Sequence, residues 1–231
     1  VKGDPEGGRD DVADDVDEPA WRRRAVSRSL TAARSRAEER VQRFLDAAFA
    51  LIDESGTTDF TIQEVIDRSR QSLRAFYQHF SGKDELLLAL FEETVRESAE
   101  DLRQVVESET DPLERLHAFT IRLHDWCEPE GRSRRRGAHN RRPIMEFTLQ
   151  LVADHPDGVK AAMAPVTNML LELLEEAAAA QAIKVADTRR AAVLVQQTVL
   201  SSWLGSRLAQ GPRSRVTAEE TWQFCLHGLQ A

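Results

Sequence analysis

Gln71, Ser72, Leu73, Arg74 and Ala75 are consecutive, and together they offer an amide, a hydroxyl, a guanidinium fork and two apolar side chains. That set can read the edges of base pairs. Arg74 can donate both arms of its fork to guanine, Gln71 can pair with adenine, and Leu73 or Ala75 can meet a thymine methyl. Such contacts require the residues to stand at the leading end of a helix that fits the major groove, which is about 12 Å wide. Thr61, Arg70, Tyr77, His79 and Lys83 lie around them and are of the types that hold DNA phosphates. Lys83 opens a long helical pattern, where free backbone amides already favour an anion. Thr61 and Ser72 also fit as simple helix caps, and Tyr77 as a half-buried core aromatic.

The elements that must position these residues are helical. Val41, Leu45, Ala48, Leu51 and Ile52 recur at three- and four-residue spacing and predict an amphipathic helix from about Ala33 to Gly56, whose glycine suits the left-handed position after a helix end. Thr61 with Glu64 forms a capping-box signature before a short helix carrying Ile62, Val65 and Ile66 to about Ser69. Arg70 and Gln71 form a tight turn, and Ser72 caps a second short helix containing Phe76 and Phe80. Ser81 to Asp84 then open a long helix that persists to about Glu107. Further helices are expected from Asp111 and Pro112 to about Trp126, from Pro143 to Ala153, from Pro156 past Leu174, from Asp187 to Gln210 and from Thr217 to Gln230. With no alternating strand pattern, the fold class is all-α.

The 231 residues are 41% apolar, enough for a packed core. No run of about 18 apolar residues and no basic-then-apolar leader is present, so a soluble, cytoplasmic protein with no membrane partner is expected. Cys127 and Cys225 fall inside apolar helical patterns, as core residues of a reducing compartment do. The net charge of −8 speaks against a nucleic-acid partner when taken as an average. Yet eight acids crowd residues 4–18 (Asp4, Glu6, Asp10, Asp11, Asp14, Asp15, Asp17, Glu18), and two basic runs follow: Arg22, Arg23, Arg24, Arg28, Arg34 and Arg36, then Arg132, Arg134, Arg135, Arg136, Arg141 and Arg142. Residues 1–32 show no periodicity and are expected to be disordered. The first basic run suits a minor-groove arm, a solvated leader or a non-specific electrostatic anchor; the second suits an exposed loop or an auxiliary DNA or partner contact.

The segment TIQEVIDRSRQSLRAFYQHFSGKDELL (61–87), with FLDAAFALIDESG before it, resembles the DNA-binding domain of the TetR (tetracycline-repressor-like) family over about 50 residues. The resemblance implies an Ω-shaped, all-helical homodimer, with a helix-turn-helix domain over 33–82 and a ligand-binding and dimerisation domain over 83–231. On that pattern Gln71 to Arg74 face bases, and Tyr77, His79 and Lys83 face phosphates. The family's usual Gly and small apolar residue in the turn are here Arg70 and Gln71. A non-glycine residue at positive φ costs about 1 to 2 kcal/mol, so the turn either accepts that strain or has another geometry. Arg70 is expected to offset it with a phosphate contact.

The implied function is a DNA-binding regulator, a repressor released from a palindromic operator by a small, largely apolar effector. A helical interaction or ligand-binding scaffold that never enters DNA is the competing reading, and the acidic net charge is its support. Candidate pocket residues are Phe119, Leu123, Trp126, Phe147, Leu151, Met163, Val166, Leu170 and Trp203, with His124 and Asn168 as polar contacts. Plain core packing accounts for any one of them equally well. The last two helices carry Leu194, Val195, Val199, Leu204, Trp222, Phe224 and Leu226, with Gly205 permitting close approach, and are expected to form the dimer interface. His117 and His124, with Asp125, Cys127 and Glu128, invite a metal or thiol reading but lack ligand spacing. No metal, no cofactor and no catalytic residue is expected, and no enzyme fingerprint appears.

Overall fold

A computed structural model describes residues 19–127, 142–208 and 216–230. The described chain is all-α. Its helices are α1 (Ala20–Ser55), α2 (Ile62–Ser69), α3 (Leu73–Tyr77), α4 (Lys83–Glu107), α5 (Pro112–Cys127), α6 (Arg142–Asp154), α7 (Pro156–Ala179), α8 (Thr188–Leu208) and α9 (Ala218–Gln230). The acidic run over 4–18 and the arginines Arg132, Arg134, Arg135, Arg136 and Arg141 lie outside the described residues. Two compact units divide the chain, Val1–Arg43 and Phe44–Ala231.

In the first unit, residues 20–32 depart from the expected disorder: helix begins at Ala20, well before Ala33. The described side chains over 21–36 are exposed, so nothing imposes a buried stripe, and the helical period is missing from the sequence. Alanine, arginine and leucine carry high intrinsic helix propensity. Local ties add to it, including Thr31 Oγ1 donating to the Ser27 carbonyl at 2.9 Å and an Arg34–Glu38 ion pair at 2.7 Å.

The second unit opens on an aromatic cluster. Phe44 meets Phe76 edge-on with ring centroids 5.5 Å apart and Phe80 at 6.1 Å, while Phe76 and Phe80 lie 5.3 Å apart. Phe76 is wholly buried. Gly56, at φ +73°, ends α1 where the sequence places the stop, and its N–H donates to the Ile52 carbonyl at 2.8 Å.

Behind this cluster α4 packs on α5, α6 and α7, and α5 in turn on α7, α8 and α9. Leu86, Leu87, Leu90, Phe91 and Val95 of α4 are buried. A Cβ at Gly158 would come within 2.7 Å of Leu88 Cδ2, so the absence of a side chain there lets the start of α7 sit directly against α4. Ion pairs that no short spacing announces join the helices. Arg122 grips Asp101 at 2.6 and 3.1 Å, Arg115 pairs with Glu176, and His117 Nε2 lies 3.0 Å from Glu219. His117 also stacks near Trp222 at 5.1 Å, so it serves to tie α5 to α9. Among the described residues no group of three or more His, Cys, Asp or Glu is placed to hold a metal, and no helix is long and apolar enough to cross a membrane.

Truncating Phe44 to alanine removes the ring shared by Phe76 and Phe80, and the expected cost is about 3 to 5 kcal/mol. Urea unfolding of the variant measures it; a loss below about 1 kcal/mol would mean the cluster collapses to fill the gap.

Candidate nucleic-acid interface

α2 begins with a reciprocal cap. Thr61 Oγ1 accepts from the Glu64 N–H at 3.2 Å, and the Glu64 carboxylate accepts from the Thr61 N–H at 2.6 Å and from its hydroxyl at 2.8 Å. The Thr61 backbone and hydroxyl donors hold the Glu64 carboxyl below its ordinary pKa. A depressed carboxylate supports the helix at pH above its unfolded value, and that support fades as pH falls through the folded value. The Thr61 hydroxyl proton therefore already has an acceptor, and a negative carboxylate stands beside it. The cap fits Thr61 better than a phosphate contact does. Val65 and Ile66 fix the inner face of α2, and Arg68 clamps Glu54 of α1 through two bonds at 2.7 and 2.6 Å. The Glu54 carboxylate raises the guanidinium pKa of Arg68, and Arg68 lowers that of Glu54. Fourteen residues separate these partners, too far for any local pattern to reveal.

The turn does accept left-handed geometry. Arg70 sits at φ 55°, ψ 34°, and its N–H returns to the Ile66 carbonyl. Its side chain is exposed. Gln71 is half-buried and its amide lies 3.5 and 3.4 Å from the carbonyls of Ser69 and Arg70, long contacts that turn it back over the loop.

Ser72 caps α3 by accepting from the Ala75 N–H at 3.1 Å. The helix then presents Leu73, 50% exposed, and Arg74 to solvent while Phe76 anchors it from beneath. Ala75 is half-buried. A single exposed leucine is ordinary on a protein surface, and what sets Leu73 apart is its place beside the exposed Arg74 at the start of the helix. Among the described residues neither Arg70 nor Arg74 is in an ion pair, in contrast to Arg68.

Tyr77 is 55% exposed and touches Phe76 only by a ring edge, which removes the core-aromatic alternative. His79 is half-buried with Nε2 enclosed and unpartnered, so a phosphate contact from this ring falls to Nδ1. Lys83 is the first residue of α4, with its ammonium 4.9 Å above the Phe60 ring, and Gly82 before it gives no side-chain cap. Of the five central residues Ser72, Leu73 and Arg74 are exposed and Gln71 and Ala75 half-buried, with Arg70, Tyr77 and Lys83 nearby in sequence.

Elsewhere the expected assignments sort by burial. Phe119, Leu123, Leu151, Val166 and Leu170 are fully buried, and Phe147, Met163 and Trp126 are half-buried. His124 is buried with both ring nitrogens unpartnered, as is Nε1 of Trp126. Asn168 is exposed and lines a polar cleft of about 330 Å³ with Arg103, Arg115, Glu172 and Glu176, apart from the apolar core. The side chains of Trp203 and Leu204 lie outside the described ones. On the last two helices Val195, Val199 and Trp222 are buried in their own subunit, which corrects their assignment to an interface. Their period belongs to the subunit's internal packing. Leu194 and Phe224 are 57% and 71% exposed, Gly205 is exposed and Leu226 half-buried. Val193, also exposed, was not distinguished by the sequence pattern. Leu194 and Phe224 border a groove of about 760 Å³ together with Val195, Cys225 and Leu229.

Residues 44–90 match the family model of bacterial regulatory proteins, tetR family. The chain is 30% identical over 80 residues to the HTH-type transcriptional regulator BetI of Brucella canis, covering 35% of this chain and 40% of BetI. It is 32% identical over 98 residues to the HTH-type transcriptional activator FasR of Mycolicibacterium smegmatis, covering 42% and 45%. The match therefore spans less than half the length of either relative. Two solved structures share the fold: RolR in complex with resorcinol, at TM-score 0.64 and 18% identity over 84% of this chain and 89% of that one, and FadR of Bacillus subtilis in complex with stearoyl-CoA, at 0.58 and 17% over 81% and 98%.

Replacing Arg70 by glycine relieves the left-handed strain and is expected to raise stability by about 1 kcal/mol. Thermal unfolding checks the sign; a lowered Tm would show that the Arg70 side chain contributes more than its backbone costs.

Proposed function

For a chain that belongs to the TetR family, by its 44–90 domain and its all-helical fold, we propose a homodimeric repressor that leaves a palindromic operator when it binds a small, largely apolar effector. It is a regulator rather than an enzyme. The observation that carries the proposal is α3: Leu73 and Arg74 stand outward at the helix start while Phe76 is wholly buried below them. Arg74 is the guanine reader, with Leu73 beside it for a thymine methyl and Ser72 at the phosphate edge. Arg70, Tyr77, His79 and Lys83 set the register on phosphates. Gln71 has to swing off its loop carbonyls before it can reach a base.

Residues 33–82 carry DNA binding in this proposal, and 83–231 carry effector binding and dimerisation. The exposed Val193, Leu194 and Phe224 are the apolar surface that a second copy would cover through α8 and α9. The effector site lies in the buried core around Phe119, Leu123 and Leu170. A buried imidazole with no partner is destabilised by roughly 1 to 3 kcal/mol for each unsatisfied group, and an effector with one polar end offsets that at His124. Resorcinol on RolR and stearoyl-CoA on FadR join apolar surface to polar groups in the same way. Effector binding then favours a dimer whose two α3 helices no longer match half-sites about 34 to 36 Å apart. This work is done in the cytoplasm, beside the DNA.

Duplexes selected from a random pool test the proposal. Arg74→Ala is expected to weaken specific binding by about 1 to 3 kcal/mol for each half-site, tenfold or more, and to relax the preference at one guanine. Unchanged affinity and preference would favour the scaffold that never enters DNA.

A further inference from the structure

Residues 20–43 hold eight arginines and two glutamates, with no lysine or aspartate, in a chain whose net charge is −8. They are helical throughout, as the first part of α1. At roughly 100° per residue, Arg22, Arg36, Arg40 and Arg43 fall within one sector about 60° wide. All four are exposed. Glu38 and Glu39 lie outside that sector, and Glu38 is engaged by Arg34. Arg22 leans over the exposed Trp21 ring at 5.8 Å, and Arg36 uses Nε on the Ala32 carbonyl at 3.0 Å, which orients its guanidinium.

Across residues 20–43 the arginines outnumber the glutamates eight to two, and Glu39, three residues after Arg36 and four before Arg43, offsets only part of that charge. Such an excess of positive charge is stabilised by a polyanion. Guanidinium forks match phosphate geometry in two bonds, and a helix already formed loses little further freedom on contact. We propose that the Arg22, Arg36, Arg40 and Arg43 face of α1 is a second DNA-binding surface, which holds backbone phosphates without reading sequence. It rests on the DNA-binding reading above and adds to it a non-specific anchor apart from α2 and α3. The occupant is duplex DNA rather than an anionic membrane. The apolar residues flanking the arginine row are mostly alanine, and Trp21, Val26 and Leu30 are too few to make the continuous apolar face that an interfacial helix inserts between lipids.

The test is the salt dependence of full-chain binding to a mixed-sequence duplex, followed by fluorescence anisotropy from about 50 to 200 mM salt. Each phosphate neutralised contributes about 0.9 to the slope of log K against log salt. Changing all four arginines to alanine is expected to flatten the slope by about 3 to 4 for each subunit bound, so the wild type loses roughly 100-fold more affinity per subunit across that range. Arginine-to-lysine changes at the same positions are expected to restore most of the slope. If the alanine set alters helix content by circular dichroism, a glutamine set replaces it with the same expectation. Equal slopes for wild type and neutral variants would overturn the proposal, as would a wild type that prefers phosphatidylserine vesicles to the duplex. A slope that flattens while no sequence preference is found upholds the arginine face and defeats the operator reading. Sequence-specific binding with an unchanged slope does the reverse.

Discussion

A helix of five residues has too few internal hydrogen bonds to persist alone in water, because nucleation costs more than so short a run returns. α3 holds its form because Phe76, on its inner face, is locked edge-on against Phe44 and beside Phe80. The geometry of the corner proposed to face DNA follows from that contact. With Phe76 fixed inward, helical geometry turns Leu73 and Arg74 outward, and Ser72 is left at the cap. The Arg68–Glu54 clamp and the Thr61–Glu64 box then keep α2 at the angle from which α3 is presented.

The left-handed Arg70 shows what this arrangement costs. A glycine there would be relaxed, and the arginine is kept with its charge exposed just before α3. In an anion-binding surface that trade is favourable, since the strain of about 1 to 2 kcal/mol is comparable to one charge-assisted hydrogen bond to phosphate. The rest of the second unit supplies rigidity. α4 leads from the corner into the core, where Gly158 lets the start of α7 sit against Leu88.

Much of this was legible in the sequence because the signals are local. The capping box at Thr61, the stop at Gly56, the cap at Ser72, the proline that opens α7 at Pro156 and the 3.6-residue period of α4 involve neighbours within one or two turns, and the helices start where those signals put them, although α3 ends at Tyr77, before Phe80. What was not legible depends on distance or on exposure. The Arg68–Glu54 and Arg122–Asp101 pairs join residues far apart in sequence, and Val195, Val199 and Trp222 look like interface until the subunit is seen to bury them. The helix over 20–32 escaped notice because no buried face marks an exposed helix with a period. The exposure of Tyr77, like these, is a property of the folded surface that its sequence neighbours do not reveal.

Guanine-N7 methylation interference on a selected operator tests the central claim most directly, since it reports which groove α3 enters and where. The account predicts interference at two major-groove positions related by a twofold axis, with half-site centres about 10 base pairs apart or a multiple of that. Interference at a single position, or none in the major groove while binding persists, would contradict it.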